Sequence, residues 1–447
     1  MVTIRSGWER VKEDYQHLMP QQVILRACEA HEHHFRNRKL GPVATVLAFL
    51  VQVLHGNTAC QALRHLIDLP CSASAYCKAR GRLPLAVLRT LLHWVCQSAR
   101  NVTSPSLWHG HRVFHIDGSS FSMPDTPELQ DAFGQPGGQR PGCGFPVARL
   151  LAMFDAATGM ILDVAASPLR SHEMAQASAM HPSLRHGDVL VADRGFCSYV
   201  HLALLSMRNL HAVLRMHQRV NVDFTPGRTH APPGCKGLKG LPRSRWLRAI
   251  GMEDQIVEWY RPRSRPTWMT REQFVQLPES LAVRELAYRV ETPGFRTRRI
   301  VLVTTLLDGE EYPAEDLAEL YACRWQVEVN LRHLKQTMGM DVLKCKTPEG
   351  VLKELAMFAL VYNLVSLVIC DAAERQGVPP ERISFIDALR WLRTWEPGRD
   401  LIELTINPRP RGHFEPRVVK RRPKQYRRMT HPRPVLRKRL LEKEHAA

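Results

Sequence analysis

YACRWQVEVNLRHLK, from Tyr321 to Lys335, is the most informative stretch of this sequence. Its main polar residues are Tyr321, Arg324, Glu328 and Lys335. In an α-helix that advances about 100° per residue, these four side chains fall within one stripe about 60° wide. The stripe combines a tyrosine, two cations and one carboxylate, which is typical of neither a core face nor a random surface. The simpler interpretation is an i,i+4 ion pair between Arg324 and Glu328, and such pairs contribute only about 0.2–0.5 kcal/mol.

Two aspartates upstream each follow a short apolar run. Asp117 follows Val113–Ile116 in VFHIDGSS, and Asp193 follows Val189–Ala192 in DVLVADRGF. The apolar runs predict buried strands, so each aspartate is expected to end its strand and to project from the edge of the sheet. One such aspartate is usually a turn residue or a helix cap, but two of them together with Glu328 predict a metal site. Mg²⁺ and Mn²⁺ prefer carboxylate oxygens and keep coordination positions open for phosphate and water.

The surrounding elements predict a mixed α/β core in two parts, residues 106–216 and 299–400. Apolar periodicity predicts strands at Val113–Ile116, Val147–Phe154, Met160–Ala166, Val189–Ala192, Ala212–Met216 and Ile300–Leu306, and helices at His172–Met180, Tyr199–Met207 and Pro313–Met338. Residues 217–298 are rich in Pro, Gly, Arg and Trp, and they predict a mainly β insertion between the two parts.

Residues 1–105 are predicted to form a helical N-terminal domain. Helical or apolar spacing occurs in Val43–Leu54, Cys60–Ile67 and Leu83–Val95. The basic segment SASAYCKARGRLP lies between the last two and is expected to contain a turn. A DNA-reading unit of the helix-turn-helix type and a solvated basic loop on a helical bundle are both open interpretations of this segment.

Residues 401–447 are predicted to form a basic tail. Pro408–Leu440 contains 13 Lys and Arg, six Pro and a single acid, Glu415. This density of charge and proline opposes compact folding and favours an extended chain. Such a tail would strengthen non-specific binding to DNA through phosphate contacts.

The overall charge predicts a polyanionic partner. The 447 residues include 62 Lys and Arg against 43 Asp and Glu, a net charge of +19. Nucleic acid is the simplest partner for such an excess. The 11 cysteines form no CxxC pair, which argues against a zinc ribbon or a disulfide framework. The N-terminus lacks the apolar segment of a signal peptide, and Leu355–Cys370 is short for a membrane span and predicts a buried helix. We therefore expect a cytoplasmic, nucleoid-associated bacterial protein.

The pattern Tyr-x2-Arg-x3-Glu-x6-Lys, preceded by two strand-end aspartates, resembles the signature of DDE transposases of the insertion-sequence-four class. The similarity covers roughly residues 40–430 and includes HIDGSSF around Asp117 and ADRGF around Asp193. The first hundred residues match only loosely. The resemblance implies a ribonuclease-H-like catalytic core, interrupted by a β-rich insertion and preceded by a helical DNA-binding domain.

The resemblance also implies a function for each residue of the pattern. Catalytic Asp117, Asp193 and Glu328 would hold two Mg²⁺ ions, which Mn²⁺ can replace. Tyr321, Arg324 and Lys335 would contact phosphates of the transposon-end DNA. The activity implied is metal-dependent cleavage of transposon ends and strand transfer into target DNA. Its partners would be double-stranded DNA, with terminal inverted repeats and a target site, and a second copy of the chain in a synaptic homodimer.

The insertion contains three tryptophans, Trp246, Trp259 and Trp268. Members of the resembled class excise their element through a DNA hairpin, with a tryptophan that supports a flipped base. Any of the three could serve in this way, and large aromatic residues are also commonly core residues. The sequence does not distinguish these alternatives.

Two other functions share some of these features. A structure-specific DNA endonuclease with the same core would need the carboxylates but not the stripe of tyrosine, arginine and lysine. A catalytically inactive DNA-binding protein derived from a transposase would not need the carboxylates. Because the sequence contains both sets of residues, it favours an active transposase.

Overall fold

The computed structural model describes residues 20–35, 40–67, 71–103, 107–231, 240–290, 299–394, 401–408 and 429–444. Its strands are β1 (Val113–Ser122), β2 (Val147–Asp155), β3 (Ile161–Pro168), β4 (Val189–Ala192), β5 (His211–Arg215), β6 (Arg245–Gly251), β7 (Asp254–Tyr260), β8 (Ser280–Arg289) and β9 (Arg299–Thr304). Its α-helices are α1 (Gln21–Ala30), α2 (Pro42–Leu54), α3 (Ala73–Arg82), α4 (Leu85–Thr103), α5 (Pro127–Phe133), α6 (Glu173–Met180), α7 (Tyr199–Ser206), α8 (Arg271–Val275), α9 (Ala314–Cys323), α10 (Trp325–Arg332), α11 (Pro348–Gln376), α12 (Phe385–Thr394) and α13 (Arg433–Glu444).

The nine strands of the described residues belong to one sheet, in the order β3-β2-β1-β4-β5-β9-β8-β7-β6. Strands β1, β2 and β3 form an antiparallel meander, whereas β4 and β5 run parallel to β1. The predicted α/β class is therefore confirmed. The six predicted core strands are present, with ends that differ from the predicted ones by a few residues.

Strand β1 is longer than predicted, which changes the position of Asp117. The strand continues to Ser122, and Asp117 pairs with Ala152 of β2. The prediction that Asp117 ends its strand is therefore wrong. The strand that ends beside Asp117 is the adjacent strand β4, because Ile116 of β1 and Ala192 of β4 form the last parallel pair. The pairing with β2 continues past the aspartate and extends β1, a tertiary contact that the local sequence does not show.

The predicted β-rich insertion is present, and its strands extend the same sheet. Strand β9 pairs antiparallel with β5 on one side and with β8 on the other. The side chain of Arg284 in β8 is 1% exposed and forms an ion pair with Asp254 of β7. Arg284 Nη1 also donates to the carbonyl of Tyr312, 2.6 Å away, just before α9. The insertion is thus joined through buried groups to the segment that leads into the Tyr321–Lys335 stretch.

Helix α11 is the central helix of the core. Among the described helices it is the one long and apolar enough to cross a membrane, but 94% of its most apolar window is buried inside the protein. The predicted buried helix over Leu355–Cys370 is therefore confirmed. Helix α4 packs along α11 and on β3, so helices of the first hundred residues share a hydrophobic core with the sheet.

Two local predictions for the N-terminal region are wrong. Within Cys60–Ile67 the structure forms only a 3-10 turn, Ala62–His65. The basic segment is helix α3 and not a solvated loop; the Ser72 side chain caps its N-terminus, and the expected turn follows at Leu83–Pro84 before α4. Arg80 of this helix stacks on Phe49, 3.8 Å from the ring centre, and is half-buried. Since the guanidinium is turned into the protein, Arg80 belongs to the packing of this region.

The predicted helix over Pro313–Met338 is divided. Helices α9 and α10 meet at Arg324, where the bonds from Arg324 N to Tyr321 O and from Val327 N to Arg324 O each span three residues. A π-helical turn then covers His333–Thr337. The tight turn at Arg324 and the π-helical turn at His333–Thr337 both contain a residue whose side chain contacts the sheet. Helical periodicity does not reveal these contacts.

The end of the chain is partly folded. Residues 401–408 contact the core through a bridge between Ile383 and Ile406. The expected extended conformation is wrong for residues 433–440, which lie in α13. Pro434 is compatible with the first helical turn, and Arg433 pairs with Asp125. Residues 409–428 of the predicted tail lie outside the described residues.

Candidate active site

The two aspartates come together where β1 and β4 separate. Ile116 and Ala192 are paired neighbours on the two parallel strands, and Asp117 and Asp193 are the next residues of each. Burial is the main reason that the pKa of Asp117 is raised, and the charges of Glu328 and Asp193 raise it further, against the lowering effect of the Gly118 amide and Arg324. The charges of Glu328 and Asp193 are thus near enough to Asp117 to act on its carboxyl group.

The junction of α9 and α10 lies over these aspartates. The Tyr321 hydroxyl donates to Asp193 Oδ1 at 3.1 Å. Arg324 lies between two carboxylates, with Nη1 3.5 Å from Asp117 Oδ2 and Nη2 3.4 Å from Glu328 Oε1. The i,i+4 pair considered as an alternative is therefore present, but the same guanidinium also bridges to the sheet. The stripe faces the aspartates, as the sequence predicts.

Arg324 is the most enclosed of these charged groups, with a side chain that is 10% exposed. Burial alone would lower its pKa, but Tyr321 and the carboxylates of Asp193, Asp117 and Glu328 raise it above its usual value. Its Nε is buried and has no hydrogen-bond partner among the described residues. The guanidinium is therefore firmly charged and retains one donor that could bind another acceptor.

Lys335 reaches β1 beyond the aspartate. Its Nζ donates to Ser119 Oγ at 2.8 Å, and Ser119 lies on the same face of β1 as Asp117 because alternate residues share a face. Burial lowers the pKa of Lys335, although Asp341 opposes this effect. The structure thus places Lys335 along the edge of the site, despite the π-helical turn that contains it.

Three charged residues near the site were not predicted from the sequence. Arg215 ends β5, and its Nη1 lies 3.8 Å from Asp193 Oδ1. Glu173 begins α6 and forms an ion pair with Arg149 of β2. Arg215 could have been found, because it ends an apolar run in the parallel strand next to β4. Glu173 and Arg149 carry no such local signal.

The tryptophans of the insertion differ in their contacts. Trp259 Nε1 donates to Oε1 of the buried Glu285 at 2.9 Å, which gives Trp259 a structural partner. Trp268 packs against the hydrophobic core beside α7. The indole nitrogen of Trp246 is buried and has no hydrogen-bond partner among the described residues. These contacts favour a packing role for Trp259 and Trp268.

The carboxylates offer the oxygen ligands that hard divalent cations prefer. In the part of the chain that the structure describes, no three Asp, Glu, His or Cys side chains converge closely enough to hold one ion together. The guanidinium of Arg324 instead occupies the space between Asp117 and Glu328. A divalent cation would satisfy the same charges once this guanidinium moves aside, so the residues present fit such an ion.

The strand order and the carboxylates at the point where β1 and β4 separate are those of a ribonuclease-H-like core. Residues 108–364 match the family described as Transposase DDE domain, over more than half of the chain, and the chain belongs to this family. It is thus a DNA transposase, an enzyme of a family that depends on a divalent metal ion. The match begins just before β1 and ends within α11.

Named transposases are similar in sequence to this chain. The chain is 26% identical over 373 residues to the transposase InsG for insertion sequence element IS4 of Escherichia coli strain K12, covering 79% of this chain and 77% of that protein. It is 37% identical over 71 residues to the transposase for insertion sequence element IS421 of Escherichia coli, covering 16% and 18% respectively. Among solved structures, a piggyBac transposase synaptic complex with hairpin DNA aligns with 10% identity and a TM-score of 0.41, over 87% of this chain and 79% of that one.

Proposed function

We propose that this transposase cleaves the ends of its mobile element and joins them to target DNA in one active site, with Asp117, Asp193 and Glu328 as its catalytic residues. The observation that carries the proposal is the contact of Arg324 with both Asp117 and Glu328 directly above the junction of β1 and β4. This contact brings together carboxylates that are more than 200 positions apart in the sequence.

The same three carboxylates would hold two Mg²⁺ ions, and Mn²⁺ could replace them. When bound, such ions activate a water or a DNA 3′-hydroxyl and stabilise the leaving oxygen. Cleavage and strand transfer are both in-line attacks on a phosphodiester, so one set of carboxylates suffices for both steps.

Tyr321, Arg324 and Lys335 would bind the phosphates of the transposon end. A guanidinium presents a planar fork of donors that matches phosphate oxygens, and Arg324 would present this fork once a cation replaces it between Asp117 and Glu328. The Lys335 ammonium, held by Ser119, would contribute a point charge farther along β1. Tyr321 would keep Asp193 oriented through its hydroxyl while the strand is positioned.

The partners proposed are double-stranded DNA, namely terminal inverted repeats and a target site, and a second copy of the chain. Two ends have to be cut and joined at one target, so a homodimer is expected in the synaptic complex. The net charge of +19 supports binding to DNA. We place the protein in the bacterial cytoplasm, associated with the nucleoid.

The test is cleavage of labelled DNA that carries the inverted repeats flanking the gene. With Mg²⁺, the wild type should nick these ends, whereas Asp117→Asn, Asp193→Asn and Glu328→Gln should each lose cleavage and still bind the DNA. Glu272→Gln, on the exposed surface of α8, is the matched control for the loss of one carboxylate charge. Cleavage at a near-wild-type rate by any of the three site variants would remove that residue from the catalytic set.

A further inference from the structure

The Glu173 carboxylate lies close to the backbone at Gly118 and within ordinary contact distance of the backbone at Gly195. Gly118 directly follows Asp117, and a methyl group added at Gly118 would lie 3.2 Å from Glu173 Oε1. A methyl group at Gly195, two residues after Asp193, would lie 4.0 Å from Oε2 of the same carboxylate. The glycines of the two motifs IDGSS and ADRGF thus leave space for one carboxylate from α6.

Glu173 and Arg324 approach the sheet from opposite faces. Successive residues of a strand point to opposite faces, so Gly118 faces away from the side on which Asp117 meets α10. Strand β4 has ended at Ala192, so the sheet is open next to Gly118. Because neither glycine has a side chain, neither fills the space beside the Glu173 carboxylate.

The Glu173 carboxylate is neutralised by Arg149 of β2. The two side chains form an ion pair and are 32% and 29% exposed respectively. Arg149 Nη2 also donates to the Leu169 carbonyl at 3.0 Å, which holds the guanidinium in place, and its Nε is buried without a partner among the described residues. Arg149 thus neutralises Glu173 in the same way that Arg324 neutralises Asp117 and Glu328. The two arginines lie on opposite sides of the strand junction.

We propose that Glu173 is a fourth carboxylate of the metal site and that Arg149 is the counter-ion it leaves when the metal binds. This inference rests on the proposed function, because it assumes a metal held by Asp117 and Asp193. A ligand paired with an arginine binds a cation less tightly, because the cation has to compete with the guanidinium. The pair therefore sets the metal affinity of the site, with the carboxylate raising it and the arginine lowering it.

The test is a titration of the full chain with Mn²⁺ in the absence of DNA, with free Mn²⁺ measured by electron paramagnetic resonance. Glu173→Gln should weaken binding about tenfold, the lower end of the effect of losing a group that supports a metal site. Arg149→Gln should tighten binding roughly threefold, because a competing charge is removed. If the pair were only structural, both variants would break the same contact and would change the affinity in the same direction or not at all.

A double variant separates direct participation from a field effect. If Glu173 serves the metal itself, Glu173→Gln combined with Arg149→Gln should match Glu173→Gln alone, because Arg149 then has nothing to compete for. If both charges act only through space, the two effects should add and return the affinity towards that of the wild type. Additivity would overturn the proposal.

Reference variants distinguish this inference from the function on which it rests. Asp117→Asn should weaken Mn²⁺ binding at least as much as Glu173→Gln, and Glu272→Gln should leave it unchanged. If Asp117→Asn binds Mn²⁺ like the wild type, the proposed metal site itself is wrong. If Asp117→Asn weakens binding and Glu173→Gln does not, only the role of Glu173 is wrong. Thermal unfolding of each variant without metal shows that it is folded.

Discussion

Arg324 meets two opposite requirements at the scale of single residues. Without a cation, it neutralises Asp117 and Glu328, whose charges would otherwise repel each other. With a cation in place, that role passes to the metal and the guanidinium becomes free to bind a phosphate. An arginine suits this exchange because it remains charged in both arrangements.

The first prediction concerns the variant Arg324→Gln. Without metal, the carboxylates lose their partner, and the free energy of unfolding should fall by about 1–3 kcal/mol. Mg²⁺ should raise the melting temperature of this variant more than that of the wild type, because the ion then supplies the missing charge. Thermal unfolding with and without Mg²⁺ measures both effects, and Arg208→Gln on the exposed surface is the control. An equal response to Mg²⁺ in variant and wild type would show that Arg324 does not occupy the position of a cation.

At the scale of elements, the site depends on one strand pair and one interrupted helix. The sequence suffices to predict a helical stripe from Tyr321 to Lys335 and two aspartates on strands, because both follow from the periodicity of side chains. It does not suffice to predict the length of β1 or the π-helical turn at His333–Thr337, because these depend on pairing with β2 and on contacts with the sheet. Glu173 escaped prediction for the same reason: its relation to the aspartates exists only once the strands are assembled.

The second prediction concerns the stripe as a DNA-binding element. Lys335→Ala should weaken binding to terminal-repeat duplex and should reduce the slope of log K against log salt by about 0.9, the value for one lost phosphate contact. Ser119→Ala should produce a smaller loss with an unchanged slope, because it frees the ammonium without removing its charge. Binding isotherms at four salt concentrations give the slopes. An unchanged slope for Lys335→Ala would mean that the lysine only supports β1.

At the scale of the whole molecule, one hydrophobic core extends from α1 and α4 through α11 to the sheet. Several histidines are enclosed by this core. His181 and His201 stack, with their Nε2 atoms 3.0 Å apart, and His201 Nδ1 donates to the Phe196 carbonyl. Burial keeps both rings neutral, so His201, protonated at Nδ1, accepts at Nε2 the hydrogen bond that His181 Nε2 donates. Burial lowers the pKa of His201 to about 4 and, together with Arg332, that of His333 to about 4.

The third prediction follows from these lowered values. An unfolded histidine titrates near 6.5, so between pH 6.5 and 4 the unfolded chain binds more protons than the folded one. Stability should therefore be complete above about pH 6.5 and fall as the pH decreases towards 4, by on the order of 1–3 kcal/mol for each buried histidine. His333→Phe keeps the stacking on Phe385 and should reduce the acid loss. Urea unfolding between pH 7.5 and 4.5 measures this loss of stability in acid, with the exposed His172→Gln as control. An equal acid loss in His333→Phe and wild type would contradict the assignment.

The fourth prediction concerns the basic end of the chain. Deletion of residues 408–447 removes the 13 cations and single acid of Pro408–Leu440, and the enzyme should still fold, because none of the described residues 429–444 belongs to the hydrophobic core. Non-specific affinity should fall steeply at low salt, where counterion release contributes most. The preference for terminal repeats should remain, because phosphate contacts do not read bases.

Arg433→Ala, which releases α13 from Asp125 and Phe145 at little cost in charge, is the matched variant and should change the salt slope by about one contact at most. Binding to repeat and scrambled duplexes at two salt concentrations measures all three proteins. If the deletion abolishes the preference itself, this end of the chain reads sequence, and end recognition cannot be assigned to the N-terminal helices alone.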